Sequence, residues 1–325
     1  MKFSQIWLRA KALPSFFYFT FLEKDKKKYI KNIEFIWNKK IAMSCDVYPI
    51  YYPKQIFFRS VLGKPLAYLS YKNIVKTKPK TIYVSLDFMD YFIEKFLPKI
   101  SWKFVLITGD SDFSTSKYRK LLNNKYLYHW FAQNNDLESN KITTIPIGID
   151  YHFLFTSQFF GENIKSPERQ EREIINIKEV LGKNMKIFAN FHLNRTSKRR
   201  SDLYIKLLNN PLIYFQKEKL PRCKMWKEQA KYAFGFSPVG AGLDCHRTWE
   251  TLLLGQIPII ETVNNAMDGL HRKFPVVIIN NISEISEENL KKWYKKYSKM
   301  FTRELERKLS SSFYIKKISE KSEEF

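Results

Sequence analysis

Short apolar runs of strand length recur from residue 81 onward, at Thr81–Leu86, Lys103–Thr108, Tyr126–Ala132 and Ile142–Ile147, with helical or turn-rich stretches between them. The rhythm resumes after a polar interval with Met185–Phe191, Leu212–Phe215, Ala233–Phe236, a run ending at Ile260, and Pro275–Ile279. Near-continuous apolar strands alternating with helices predict mostly parallel sheets covered on both faces. Two such series predict an α/β chain of two Rossmann-like domains: residues 1–155, a connection over 156–184 with a short helix through Glu179, a second domain over 185–310, and a frayed tail over 311–325. Before residue 81 the pattern is weaker. Lys31–Trp37 reads equally as strand or helix, and Pro53–Leu62 as helix. Near the C-terminus, Leu290, Trp293, Tyr297, Phe301 and Leu305 follow a Ser286 cap at spacings of three and four. That stripe predicts a helix packed on a core with its lysines in water, or, less simply, an amphipathic helix on an anionic membrane.

Between Phe236 and Ile260 a strand end, a glycine loop, a helix and a second strand follow in close succession. Gly240 and Gly242 let the backbone turn and approach a ligand. Asp244 is placed to cap a helix that Gly255 ends and Pro258 prevents from continuing. His246 and Arg247 fall in its first turn, where free amides and the helix dipole favour an anion. Glu250 lies one turn further on the same face, within reach of ribose hydroxyls; the plainer alternative is an Arg247–Glu250 surface ion pair worth about 0.3 kcal/mol. A second basic loop, His192–Arg200, also joins a strand to a helix, with Arg195 and Arg199 as phosphate ligands or as part of a solvated turn. In the first series, Thr108–Phe113 puts Asp110 and Asp112 at the carboxyl end of a strand, where the chemistry of such sheets sits. They are candidates for a general base, with helix capping as the alternative.

The balance of 56 Lys and Arg against 32 Asp and Glu gives +24, which implies an anionic partner: a nucleotide, an acidic glycan, an anionic lipid surface or a nucleic acid. Three widely spaced cysteines, Cys45, Cys223 and Cys245, fit neither a disulfide framework nor a zinc site and point to a reducing compartment. No run approaches the roughly 20 apolar residues that span a bilayer. Phe16–Leu22, followed by Lys24, Lys26, Lys27 and Lys28, reads as a buried strand or a membrane-surface wedge. The expected setting is cytoplasmic, peripheral on the inner face of a membrane.

The segment Ser237-Pro-x-Gly-x-Gly-Leu-Asp-Cys-His-Arg-Thr-Trp-Glu250, with Gly255-x-Ile-Pro-Ile259, resembles the C-terminal signature of exostosin-like glycosyltransferases. The likeness is strong over Phe236–Ile279, extends over Met185–Glu261, and reaches more thinly to Thr108–Asp112, Gln133-Asn134 and Pro146–Asp150. It implies the GT-B type fold, two Rossmann-like domains facing a central cleft, and transfer of a sugar from a nucleotide-diphosphate donor, UDP-sugars being favoured. The acceptor it implies is a surface glycan or lipopolysaccharide-type hydroxyl, anionic or lipid-linked, with inversion and without a required divalent metal or other cofactor. Arg247 and His246 would meet the diphosphate, Glu250 the ribose, and Gly240, Gly242 and Asp244 the donor loop, with Arg195 or Arg199 opposite. The base would come from Asp110 or Asp112. Two other readings remain at this point: a metal-dependent enzyme in which Asp110-Ser111-Asp112 is a DxD metal site, and a basic nucleic-acid-binding protein, for which no motif speaks.

Overall fold

Thr81–Ser85 (β1), Phe104–Gly109 (β2), Leu127–Ala132 (β3) and Ile142–Thr144 (β4) form an all-parallel sheet in the order β1-β2-β3-β4. This is a computed structural model, and it describes residues 10, 13–56, 58–151, 166–177, 183–191, 197–216, 218 and 220–325. Alternate side chains of a strand point to opposite faces, and here both faces are buried. Ile82, Val84, Phe104, Leu106 and Trp130 pack with Ala67 and Tyr71 of helix α2 (Arg59–Tyr71) and with Met89 and Phe92 of α3 (Met89–Lys95). Tyr83, Val105, Ile107 and Phe131 belong to the opposite core, with Ile41 and Met43 of α1 (Asn38–Met43) and with Tyr314 and Ile318. Burial on both sides is why these strands read as unbroken apolar runs.

The second sheet is also parallel: Asn184–Ala189 (β5), Ile213–Phe215 (β6), Tyr232–Phe236 (β7), Ile257–Glu261 (β8) and Val277–Ile279 (β9), in the order β6-β5-β7-β8-β9. Helices α5 (Ser197–Leu207), α6 (Arg222–Gln229), α7 (His246–Leu253) and α8 (Asn265–His271) connect its strands. The chain therefore has two parallel α/β units in series.

Several local expectations change. Lys31–Trp37 is neither a strand nor a helix; it makes single bridges, Phe35 to Ser310 and Trp37 to Gly148. Helix α2 starts only at Arg59, after Phe58 at φ 53°. The C-terminal stripe is split into α9 (Glu287–Tyr297), a 3-10 turn over Ser298–Met300, and α10 (Arg303–Lys308). Leu290, Trp293, Tyr297 and Phe301 pack on the second sheet while Lys291, Lys292, Lys295 and Lys296 stay exposed, so that apolar face is core. The frayed tail is helix α11 (Ser311–Glu323). It returns to the first sheet, where Tyr314 and Ile318 fill the open face, Ser311 Oγ donates to Phe35 O (2.6 Å) and accepts from Trp37 N (3.1 Å), and the Phe325 ring lies 4.8 Å from that of Tyr128. Between the two sheets, α4 (Pro167–Ile177) is tied down by Glu171, which accepts from the backbone amides of Glu34 (2.6 Å) and Phe35 (3.2 Å) and from Tyr151 Oη (2.5 Å).

The carboxyl ends of the two sheets meet. Asn134, just past β3 at φ 49°, accepts Asp244 N at Oδ1 (2.7 Å) and donates from Nδ2 to Ser111 O (2.7 Å). A Cβ on Gly242 would stand 2.9 Å from that amide, so the absent side chain is what lets the two loops touch.

Candidate functional site

The strand order of the second sheet reverses between β5 and β7, so the loops leaving these neighbours diverge and open a crevice, the place where open parallel sheets bind ligands. The loop after β7 leads into α7, whose N-cap is Cys245, with no side-chain hydrogen bond to the first turn. Asp244 is thus not the cap. Its buried carboxylate accepts from Cys245 N (2.8 Å), from Ile147 N of the first unit (2.8 Å) and from Trp249 Nε1 (3.0 and 2.9 Å), and His271 Nε2 lies 3.5 Å away. It acts as an internal tie between the two units. The helix start without a cap side chain, by contrast, keeps donors for an anion.

Two arginines cross between the diverging loops. Arg200, in the first turns of α5, is buried and donates from Nε to Val239 O (3.0 Å) and from a terminal nitrogen to Pro238 O (3.0 Å). Arg247 reaches the other way, to Asn190 O (3.3 Å). Carbonyls orient a guanidinium without neutralising it, so both charges stay available to an anion. Burial pulls the Arg200 pKa down, and neighbouring Arg247 adds to this against the thiol of Cys245. A Cβ on Gly240 would meet the Arg200 guanidinium at 3.2 Å. Asn190 Oδ1 is buried with no hydrogen-bond partner among the described residues. Arg199, one position away and therefore rotated about 100° around the helix, points elsewhere: it is exposed and pairs with Glu261 at the end of β8 (3.2 Å). Arg195 lies outside the described residues.

His246 Nδ1 is 2.6 Å from Gly148 O, across the interface between the units. A carbonyl only accepts, so Nδ1 carries the proton. Gly148 itself sits at φ 71°, with Ile36 O where a Cβ would fall. Glu250 does not pair with Arg247. Its Oε1 accepts from Arg222, which also donates to Asp150 O and stacks 4.7 Å over Trp226. Burial would raise the Glu250 pKa, but Arg222 outweighs it and holds the carboxylate below its usual range.

On the facing edge, Asp110 follows β2 at φ 53°. Its Oδ1 accepts from Asn38 Nδ2 (3.1 Å) and buried Lys39 Nζ (3.3 Å), and its Oδ2 from Tyr52 Oη (2.6 Å). Burial pushes the pKa of this carboxyl up, yet Lys39 and Tyr52 prevail and lower it. Asp112 is exposed, and Ser111 between them donates to Asp87 Oδ1 (2.6 Å). Among the described residues no three His, Cys, Asp or Glu side chains gather as a metal-holding group. Asn134 joins this loop to the Gly242–Asp244 loop, so the two candidate halves lie side by side.

Arg200 and Arg222 escaped sequence reasoning. Arg200 stood inside the basic loop already singled out, and helix rotation would have separated it from Arg199. Arg222 had no local signal.

No family model matches the chain, and no curated protein matches it. Among solved structures, it is similar to that of Anabaena HepE in complex with UDP and glucose, at 13% identity over 82% of this chain and 83% of that one, with a TM-score of 0.39.

Proposed function

We propose that the chain is an exostosin-like glycosyltransferase that moves a sugar from a nucleotide-diphosphate donor, a UDP-sugar by preference, to a hydroxyl of a surface glycan. The crossing of Arg200 and Arg247 at the strand-order reversal, beside the start of α7, carries this reading. It supports the reading because two un-neutralised cations and the free amides of a helix start converge there, a combination that suits a diphosphate. The donor would occupy the second unit, residues 185–310, and the acceptor the first, residues 1–155. As the bond from the sugar's anomeric carbon to the diphosphate oxygen breaks, Arg247 and Arg200 would take up the charge of the leaving group, with His246 beside it. These two arginines would supply what a divalent metal supplies elsewhere, which supports a metal-independent reaction. Glu250 would accept ribose hydroxyls through the oxygen not held by Arg222. The acceptor oxygen would bond to the anomeric carbon with inversion, its proton passing to Asp112. Asp110, with three donors on it and a depressed pKa, is the weaker base.

A thermal-shift panel of UDP-, GDP-, ADP- and CMP-sugars tests donor binding. Arg247→Ala and Glu250→Ala should each weaken it about 10- to 100-fold. Near-normal donor affinity in both would overturn the site, and loss of turnover in EDTA would overturn metal independence.

A further inference from the structure

Residues 13–22 are helical, the last turn, Tyr18–Leu22, being π-wound, and this segment has two unlike faces. Phe16, Phe19 and Thr20 are buried, whereas Phe17 (47%), Tyr18 (56%), Phe21 (46%) and Leu22 (67%) are exposed. Isolated exposed apolar residues are ordinary, but four large ones within six positions form a patch. It is held firmly: Lys26 Nζ donates to Thr20 O (2.9 Å) and to Ile50 O, and Lys54 Nζ donates to Ser15 O (3.1 Å) and Ser15 Oγ (2.8 Å). These lysines clamp the segment to the stretch carrying Tyr52, whose hydroxyl bonds Asp110. Directly after the patch, Lys24, Lys27, Lys28 and Lys31 are exposed, opposed by Asp25 and by Glu23, which pairs with Lys28 at 2.9 Å.

We propose that Phe17, Tyr18, Phe21 and Leu22, with the lysines that follow, dock the protein on an anionic lipid bilayer. Apolar tips on a short amphipathic segment enter the boundary between headgroups and acyl chains, while a fringe of lysines meets anionic headgroups. The chain's +24 charge favours that surface further. Among the described residues no helix is long and apolar enough to cross a membrane, so the contact is one of surface insertion. Docking stands apart from the transferase reading, although it would bring the Asp110–Asp112 edge toward a lipid-linked acceptor.

The test is co-sedimentation of the full chain with phosphatidylcholine vesicles, pure or containing about one third phosphatidylglycerol. The protein should bind the anionic vesicles and not the neutral ones. Phe17→Ser/Phe21→Ser/Leu22→Ser should bind about 100-fold more weakly at an unchanged Tm, and Lys24→Glu/Lys27→Glu about 10-fold more weakly. Absence of binding, equal binding to neutral vesicles, or undiminished binding by both variants overturns the proposal. So does loss of binding only in Lys291→Glu/Lys295→Glu, which would assign it to α9. A dimer in sedimentation that the triple variant dissociates would give the patch to a second copy instead.

Discussion

Glu250 is ionised inside the protein because Arg222, 28 positions earlier in the chain, lies against it and is itself sandwiched by Trp226 and the Asp150 carbonyl. Removing the cation strands a mostly buried carboxylate, so Arg222→Ala is expected to cost about 3 kcal/mol and to raise the Glu250 pKa, read as a lower midpoint in urea. Arg222→Lys should recover only part of this, since a lysine lacks the planar fork that reaches two partners while stacking. The two rim aspartates should separate by the same logic. Asp110→Asn leaves Lys39 buried without its counter-charge and should lower stability by about 2 kcal/mol. Asp112→Asn, at an exposed position, should leave stability unchanged and abolish turnover. Equal turnover losses without any stability difference would contradict the assignment of the base to Asp112.

At the scale of elements, α11 supplies a test in pH. His129 of β3 sits under the end of this helix, with its Nε2 2.8 Å from Thr143 Oγ1, and burial, together with Lys321 nearby, pulls its pKa down to about 4. The unfolded chain therefore binds a proton that the folded one refuses between the ordinary value of about 6.5 and 4. Its contribution to stability is whole above pH 6.5 and is lost as the pH falls through 4. Tm should drop across that window, and His129→Gln should flatten the drop. The docking of α11 was the least legible feature of the fold. Its inward positions, such as Tyr314 and Ile318, are spaced among Lys, Ser and Glu, and the face they cover belongs to strands some 200 residues earlier. Strands such as β1, β2 and β7 were legible for the opposite reason: burial on both faces writes a continuous apolar run into a few neighbouring residues.

For the whole molecule, a shared apolar core holds the two units together, and polar bridges set how their loops face each other. Asn134 bridges Ser111 O and Asp244 N, Asp244 holds Ile147 N, and His246 holds Gly148 O. Asn134→Ala removes both bonds of one bridge and should reduce donor binding and turnover about tenfold while the far-ultraviolet circular dichroism is unchanged. If donor binding persists and turnover alone falls, Asn134 sets the relation between the halves rather than the shape of the donor loop.

The sequence by itself determined the strand–helix alternation, the glycine loop running into α7 with Gly255 at its end, and the basic character of the crevice, because these depend on residues within a few positions of one another. Only the tertiary structure decided that Arg200 rather than Arg199 crosses the crevice, that Glu250 answers to Arg222, and that Asp244 ties the two units together. A charge takes its partner from whichever segments the fold brings into contact, as where the Asp244 carboxylate accepts from Ile147 N, 97 positions away, and burial then makes that partner obligatory.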